Sequence, residues 1–160
     1  MPLQPVTHVP ADATLREGRD LYLERNGFSM AEYSSPVFAF YIFGRTLKLP
    51  NPPARRRVVA LHDLHHVLTG YGTDLAGESE IGAWELRAGC NTPFLWMINL
   101  TAVVGGLFVA PLRTLRAFRA ARGQRSLYVD GRDAEVVLKL PIAELRRQLG
   151  IPARGHTAAP

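Results

Sequence analysis

The stretch PPARRRVVALHDLHHVLTGYGTDLAGESEIGAWELRAG, Pro52 to Gly89, decides the fold. Asn51 reads as a helix cap with Pro52 at the first helical position, where a missing N–H costs nothing. From there a helix is expected to run to about Thr69, where Gly70 stops it. A second helix is expected to begin near Asp74 and to stop at Gly89. The turn Gly70-Tyr71-Gly72-Thr73 can reverse the chain, so the two helices can pack side by side.

Within the first helix stands His62-Asp63-Leu64-His65-His66. At about 100° per residue, His62 and His66 lie about 40° apart, and Asp63 about 100° from His62. Two imidazoles one turn apart are a common way for a helix to offer nitrogen ligands to a divalent metal. Glu78 follows His66 by twelve residues. On an antiparallel second helix it would face the histidines and complete a set of two histidines and two carboxylates. Such mixed nitrogen–oxygen ligation suits zinc, iron, manganese or cobalt without choosing among them. His65 points about 100° away from His66, which assigns it a supporting or surface role. The competing reading is a surface pair or core histidines bonded to carboxylates. A zinc-protease helix would carry Glu in place of Asp63. A phosphohydrolase built on a His-Asp pair would need an upstream histidine, for which the chain offers only His8.

Outward from this centre, helical signals dominate. Thr14 caps a short helix over Leu15 to Arg25, and Ser29-Met30-Ala31-Glu32 is a capping-box pattern. The apolar run Val37 to Phe43 precedes a rigid connector, Leu49 to Pro53. Leu112 to Arg122 reads as an amphipathic helix and Gln124 to Gly131 as a turn or short strand. Asp133 to Leu140 is ambiguous between helix and strand. Pro141 starts a last helix that Gly150 closes. The expectation is a mainly α, single-domain helical bundle with a metal site between two helices. A loose arm is expected over residues 1–14, the helical metal- and lipid-binding domain over 15–151, and a frayed tail over 152–160.

The chain has 160 residues, about one domain, with 47% hydrophobic and 21% charged residues, which excludes a disordered or collagen-like chain. A single cysteine, Cys90, excludes an internal disulfide framework and a cysteine-rich zinc site, and points to a reducing compartment. The start Met1-Pro2-Leu3-Gln4-Pro5 shows no secretory signal. Residues 1–112 carry 9 basic and 10 acidic residues, a balance of −1, whereas residues 113–160 carry 10 and 4, a balance of +6. The basic third points to an anionic partner.

Two further segments bear on partners. Between Arg87 and Arg113, 25 residues pass without a charge. Their core, Phe94 to Ala110, would span only about 26 Å as a helix, short of a bilayer's roughly 30 Å. A buried core helix or the wall of a lipid pocket is therefore expected, with Gly105-Gly106 allowing close approach. Arg113, Arg116, Arg119, Arg122 and Arg125 then recur every third residue with Leu112, Leu115 and Phe118 between them. Such a helix can lie on an anionic membrane surface or be a solvated face. No aromatic-glycine signature accompanies it, so nucleic acid is not an expected partner.

The run from His62 to Glu78 resembles the signature of the coenzyme Q (ubiquinone) biosynthesis protein Coq-four family: His62-Asp63-x-x-His66, eleven residues, then Glu78. Residues Pro141 to Ile151 also look like that family's C-terminal helix, and the likeness covers roughly residues 40–151. The resemblance implies a mainly helical protein that binds a divalent metal, most often taken as zinc, through His62, Asp63, His66 and Glu78, with Asp63 and Glu78 as catalytic carboxylates. It further implies a metal-dependent oxidative decarboxylase of ubiquinone-type synthesis. The reaction would replace the ring carbon-one carboxylate of a prenylated 4-hydroxybenzoate precursor by hydroxyl. Implied partners are that precursor, an anionic membrane surface, other quinone-biosynthesis proteins and a second copy of the chain. The implied location is cytoplasmic, peripheral on the inner face of the cell membrane. The alternative is a non-catalytic prenyl-lipid binding or scaffold protein with a structural metal.

Overall fold

Thr14 starts the first helix as a reciprocal cap. Its hydroxyl accepts the Glu17 N–H while the Glu17 carboxylate takes the Thr14 N–H, starting α1 (Leu15–Asn26). This is a computed structural model, and it describes residues 9–10, 12–42 and 45–156. After α1 come α2 (Met30–Ser34), an antiparallel hairpin of β1 (Val37–Ile42) and β2 (Arg45–Pro50), then α3 (Pro53–Thr69), α4 (Leu75–Ala88), α5 (Pro93–Val109) and α6 (Pro111–Ala120). Three short helices follow: α7 (Leu127–Asp130), α8 (Ala134–Leu138) and α9 (Ile142–Leu149). The protein is mainly helical, as its sequence implies, with the central pair α3 and α4 at the expected places.

The hairpin is a departure. The apolar run from Val37 forms a strand paired with Arg45–Pro50, in register from Val37↔Pro50 to Ile42↔Arg45; Phe43 lies outside the described residues. Asn51 does not cap α3. Pro52 holds that position, and the Asn51 side chain instead donates to the Ser35 carbonyl at 2.9 Å and accepts from Arg55 at 2.9 Å. The amide thus ties the hairpin's exit back to its entrance. The segments over Gln124–Gly131 and Asp133–Leu140 resolve to helix, as α7 and α8.

The core gathers Leu15 and Tyr22 of α1, Leu64, Val67 and Leu68 of α3, Ile81 and Trp84 of α4, and Leu145 and Leu149 of α9. Each fully buried Leu or Ile contributes about 1.5–3 kcal/mol, so this convergence fixes how α3 sits against α4. Arg146 of α9 clamps the end of α3, donating to the carbonyls of Leu68 and Val67 at 2.8 and 3.1 Å. Those are acceptors a helix C-terminus leaves open.

The described parts of the expected arm and tail are tied to the helices. Ala13 accepts from the Ile142 N–H, and Leu15 donates to Leu140. After Pro152 the chain folds back: the His156 N–H donates to Thr69 at 2.7 Å and its ring stacks on Tyr71. Residues 1–8, 11 and 157–160 of the expected arm and tail, with His8 among them, lie outside the described residues.

Of the two expectations for the apolar helix α5, core helix or pocket wall, its exposure overturns the first. It buries Leu95, Asn99 and Gly106 against its neighbours, but Trp96, Met97, Leu100, Leu107 and Phe108 stand exposed, Phe108 at 86%. Gly106 allows the crossing: a Cβ there would sit 2.2 Å from Ser79 Cβ and 2.7 Å from Thr114 Oγ1. At Gly105 it would meet nothing. No helix among the described residues is long and apolar enough to cross a membrane.

Candidate metal centre

The pitch of α3 places His62 and His66 one turn apart, and the α3–α4 reversal brings Glu78 to them. Asp74 begins α4 by accepting the Gly77 N–H at 2.8 Å. Gly77 lies directly on the turn, since a Cβ there would be 2.1 Å from the Gly72 carbonyl oxygen. Only glycine permits that approach, and it sets the position of the next residue, Glu78. His62 Nε2 then lies 3.3 Å from one Glu78 oxygen, and His66 Nε2 3.5 Å from the other. The two Nε2 atoms are 3.2 Å apart. His62, His66 and Glu78 each offer one ligand atom within 4.8 Å of the others, so the three could together hold a metal ion.

The tautomers follow from what lies behind each ring. His66 Nδ1 faces the Tyr71 carbonyl at 3.0 Å and must donate to it, so its Nε2 is an acceptor. His62 Nδ1 donates to Glu85 at 3.0 Å, which leaves its Nε2 facing the same point. Three acceptors converging on one place repel each other unless a proton or a cation lies between them. Imidazoles whose second nitrogen is held by a carbonyl or carboxylate are the usual arrangement behind metal-binding histidines. The donor set therefore fits a divalent ion.

Asp63 is not in this group. Its carboxylate turns toward α1 and α2, accepting Tyr22 Oη at 3.3 Å and the Tyr33 hydroxyl at shorter range. Burial raises its pKa above the ordinary carboxylate value, opposed by the Tyr33 and Tyr22 hydroxyls. Tyr22 also stacks on the His66 ring with centroids 5.6 Å apart. Asp63 is thus linked to the site through a tyrosine that packs on His66.

Glu85, unrecognised in the sequence reading, is the hub behind the site. Its side chain is 1% exposed. One oxygen accepts from His62, from His65 Nδ1 at 2.6 Å and from Tyr128 Oη at 3.1 Å; the other accepts from Asn99 Nδ2 at 2.8 Å. Burial opposes its charge, but the His62 and His65 imidazoles outweigh it and hold Glu85 well below the usual carboxylate range. A signal existed: Glu78 and Glu85 are seven residues apart and so share one face of α4. His65 takes the supporting role. It is fully buried, its Nε2 accepts the Leu127 N–H at 2.8 Å, and neither nitrogen remains for a metal.

Beside the cluster opens a cavity of about 190 Å³, lined by His62, Glu78 and Glu85 and by Val58, Val59, Phe94, Leu95 and Ile98 among others. The arginine stripe is divided: Arg113 is spent in a two-pronged pair with the buried Glu80 at 2.6 and 3.0 Å, while Arg116, Arg119 and Arg122 are exposed. Comparison of the chain with family models, with curated proteins and with solved structures finds no match.

Proposed function

We propose that the protein is a metal-dependent enzyme of ubiquinone-type quinone synthesis, of the Coq-four family's kind. It would replace the ring carboxylate of a prenylated 4-hydroxybenzoate precursor by hydroxyl. The supporting observation is the three-ligand group His62, His66 and Glu78 beside an apolar cavity. Two histidines and one carboxylate with positions left open are the ligand pattern of non-haem iron oxygenases and of catalytic zinc. A structural zinc is instead closed by four protein ligands, which weighs against the scaffold alternative.

The reaction releases carbon dioxide and inserts one oxygen atom, a two-electron oxidation of the ring. With dioxygen as co-reactant, the second oxygen leaves as water, taking two electrons from an external reductant. A redox-active divalent metal held by the three ligands would supply the activation of dioxygen. The chain itself would orient the rings of His62 and His66 through Glu85 and Tyr71, bind the prenylated ring along Val58, Val59 and Phe94, and exclude water there. The exposed face of α5, with Arg116, Arg119 and Arg122 beside it, would rest on an anionic bilayer and admit the lipid from it.

The test is product formation, followed by mass spectrometry. It is run first in a cell lacking its own activity for this step, then with purified protein, iron, dioxygen and a reductant. Hydroxylated, decarboxylated product that disappears in His66→Ala supports the reading. A metal-loaded parent protein that forms none in either setting overturns it and favours the scaffold.

A further inference from the structure

Both halves of the candidate metal group lean on one short turn. The Tyr71 carbonyl holds the His66 ring by accepting from its Nδ1 at 3.0 Å. One residue later, the Gly72 carbonyl is the surface on which Gly77 rests, one position before Glu78. The turn Gly70–Gly72 therefore sets the aim of one ligand and the place of another. From α3 the turn receives two ties: the Gly70 N–H donates to His66, and the Tyr71 N–H reaches the Thr69 hydroxyl at a long 3.4 Å. Further support comes from the other end of the sequence.

Beyond Pro152 the chain returns to this turn. Gly155 has a φ of +76°, and a Cβ there would lie 2.6 Å from the Thr69 carbonyl oxygen, so only glycine lets the backbone pass so close. The next residue, His156, donates its N–H to that same carbonyl at 2.7 Å. Its ring lies nearly parallel to that of Tyr71, at 6°, with centroids 5.4 Å apart. The far edge of the ring is held as well. Gln124 Oε1 accepts from Trp84 Nε1 at 2.6 Å, so His156 Nε2, 3.0 Å away, carries a proton and donates to the same oxygen. Arg146 holds the start of the return at the Ala153 carbonyl, at 2.9 Å, with the guanidinium that also clamps the end of α3. Backbone, ring face and ring edge of His156 are thus each engaged. Tyr71, itself part of the core, is held between that core and the imidazole. A ring so confined leaves its peptide little freedom to swing the carbonyl away from His66.

We propose that His156 is a positioning residue for the candidate metal group. Through Tyr71 and Thr69 it keeps the turn in the geometry at which His66 and Glu78 meet an ion, while supplying no ligand atom itself. The inference rests on His62, His66 and Glu78 holding the ion, and adds a distant determinant of how tightly they do so.

The test measures zinc affinity of the full chain by competition with a chromogenic chelator, beside thermal melts of the metal-free protein. His156→Ala removes the ring and keeps the backbone bond. It should weaken zinc binding about 3- to 10-fold, less than the roughly 10- to 100-fold of groups bonded directly to metal-binding histidines. His156→Phe returns a flat ring to Tyr71 and leaves Gln124 Oε1 its bond from Trp84, so it should bind zinc as the parent does. Val137→Ala is the control: this buried α8 position should lower the melting temperature and leave zinc affinity unchanged. Parent affinity in His156→Ala overturns the proposal and leaves the metal group standing. So does a loss that Val137→Ala reproduces at an equal fall in melting temperature, or one that His156→Phe shares in full. A parent protein that binds no zinc overturns the metal group, and this inference with it.

Discussion

His62 Nε2 and His66 Nε2 stand 3.2 Å apart with Nδ1 of each ring already engaged, by Glu85 and by the Tyr71 carbonyl. Neither ring can relieve the contact by flipping its tautomer without abandoning a buried acceptor. Loss of both rings by His62→Ala with His66→Ala should therefore abolish most bound metal, read as moles of metal per mole of protein after purification without chelator. Unchanged stoichiometry would show that the ion is held elsewhere.

Asp63 and Glu78 should separate. Asp63→Asn keeps one acceptor for the two tyrosines and removes no ligand atom from the His62–His66–Glu78 group. It should retain metal while lowering stability by about 1–3 kcal/mol, the cost of a buried hydrogen-bond partner lost. Glu78→Gln should lose metal with little change in melting temperature, since its side chain is 42% exposed. Parallel metal analysis and thermal melts check both; metal loss in Asp63→Asn restores the four-ligand reading.

Glu85→Gln should weaken metal affinity about 10- to 100-fold, as changes behind metal-binding histidines do. The amide supplies one oxygen where His62, His65, Tyr128 and Asn99 present four donors. Competition with a chromogenic chelator measures it, and unaltered affinity would reduce Glu85 to a core contact.

Metal and protons should compete. Burial disfavours a charge on His62, but Glu85 and Glu78 overcome it and raise its pKa well above the ordinary imidazole value. His66 goes the other way, pushed down to about 4 by burial and then by the neighbouring His62 charge. Near neutral pH the ion must displace the His62 proton, so about one proton should be released per metal bound. Calorimetry in two buffers of different ionisation enthalpy counts it. Without metal, His66 contributes in the expected sense for a depressed pKa: the unfolded chain takes up its proton near pH 6.5, the native protein only near pH 4, so this contribution is lost as pH falls across that window. His62 acts oppositely, favouring the native protein below its raised value.

On the exposed side of α5 and α6, Arg116, Arg119 and Arg122→Gln together should weaken binding to anionic vesicles by about 1 kcal/mol per arginine. Trp96→Ser with Phe108→Ser should weaken it further. Arg113→Gln should instead lower the melting temperature, because Glu80 would lose its partner. Vesicle sedimentation over a salt series reads the first effect. A parent protein that ignores vesicles but doubles its mass with concentration identifies a second copy as the occupant.

The histidine pair, the caps at Thr14 and Asp74 and the stops at Gly70 and Gly150 were legible because helical spacing and end chemistry are local. That Asp63 turns away from the His62–His66–Glu78 group was not legible, because its offset of about 100° points it equally well at a metal or at whatever packs beside α3, and Tyr22 and Tyr33 come from distant chain. Phe94 to Ala110 is apolar on every side, so no periodicity told the buried edge from the exposed one. The hairpin was missed because Val37–Ile42 has no alternating pattern to name its partner.

The candidate metal group is built like a calliper. One jaw is rigid, since the pitch of α3 alone fixes the separation of His62 and His66. The other jaw, Glu78, is carried by a separate helix, and its stop is the contact of Gly77 with the Gly72 carbonyl. A methyl group at that stop would lie 2.1 Å from the Gly72 carbonyl oxygen, about an ångström closer than a Cβ tolerates, so it would push α4 off the turn and widen the aperture. Gly77→Ala should thus shift selection toward ions of larger radius while every ligand residue is kept, making a residue with no ligand atom the gauge of ion size.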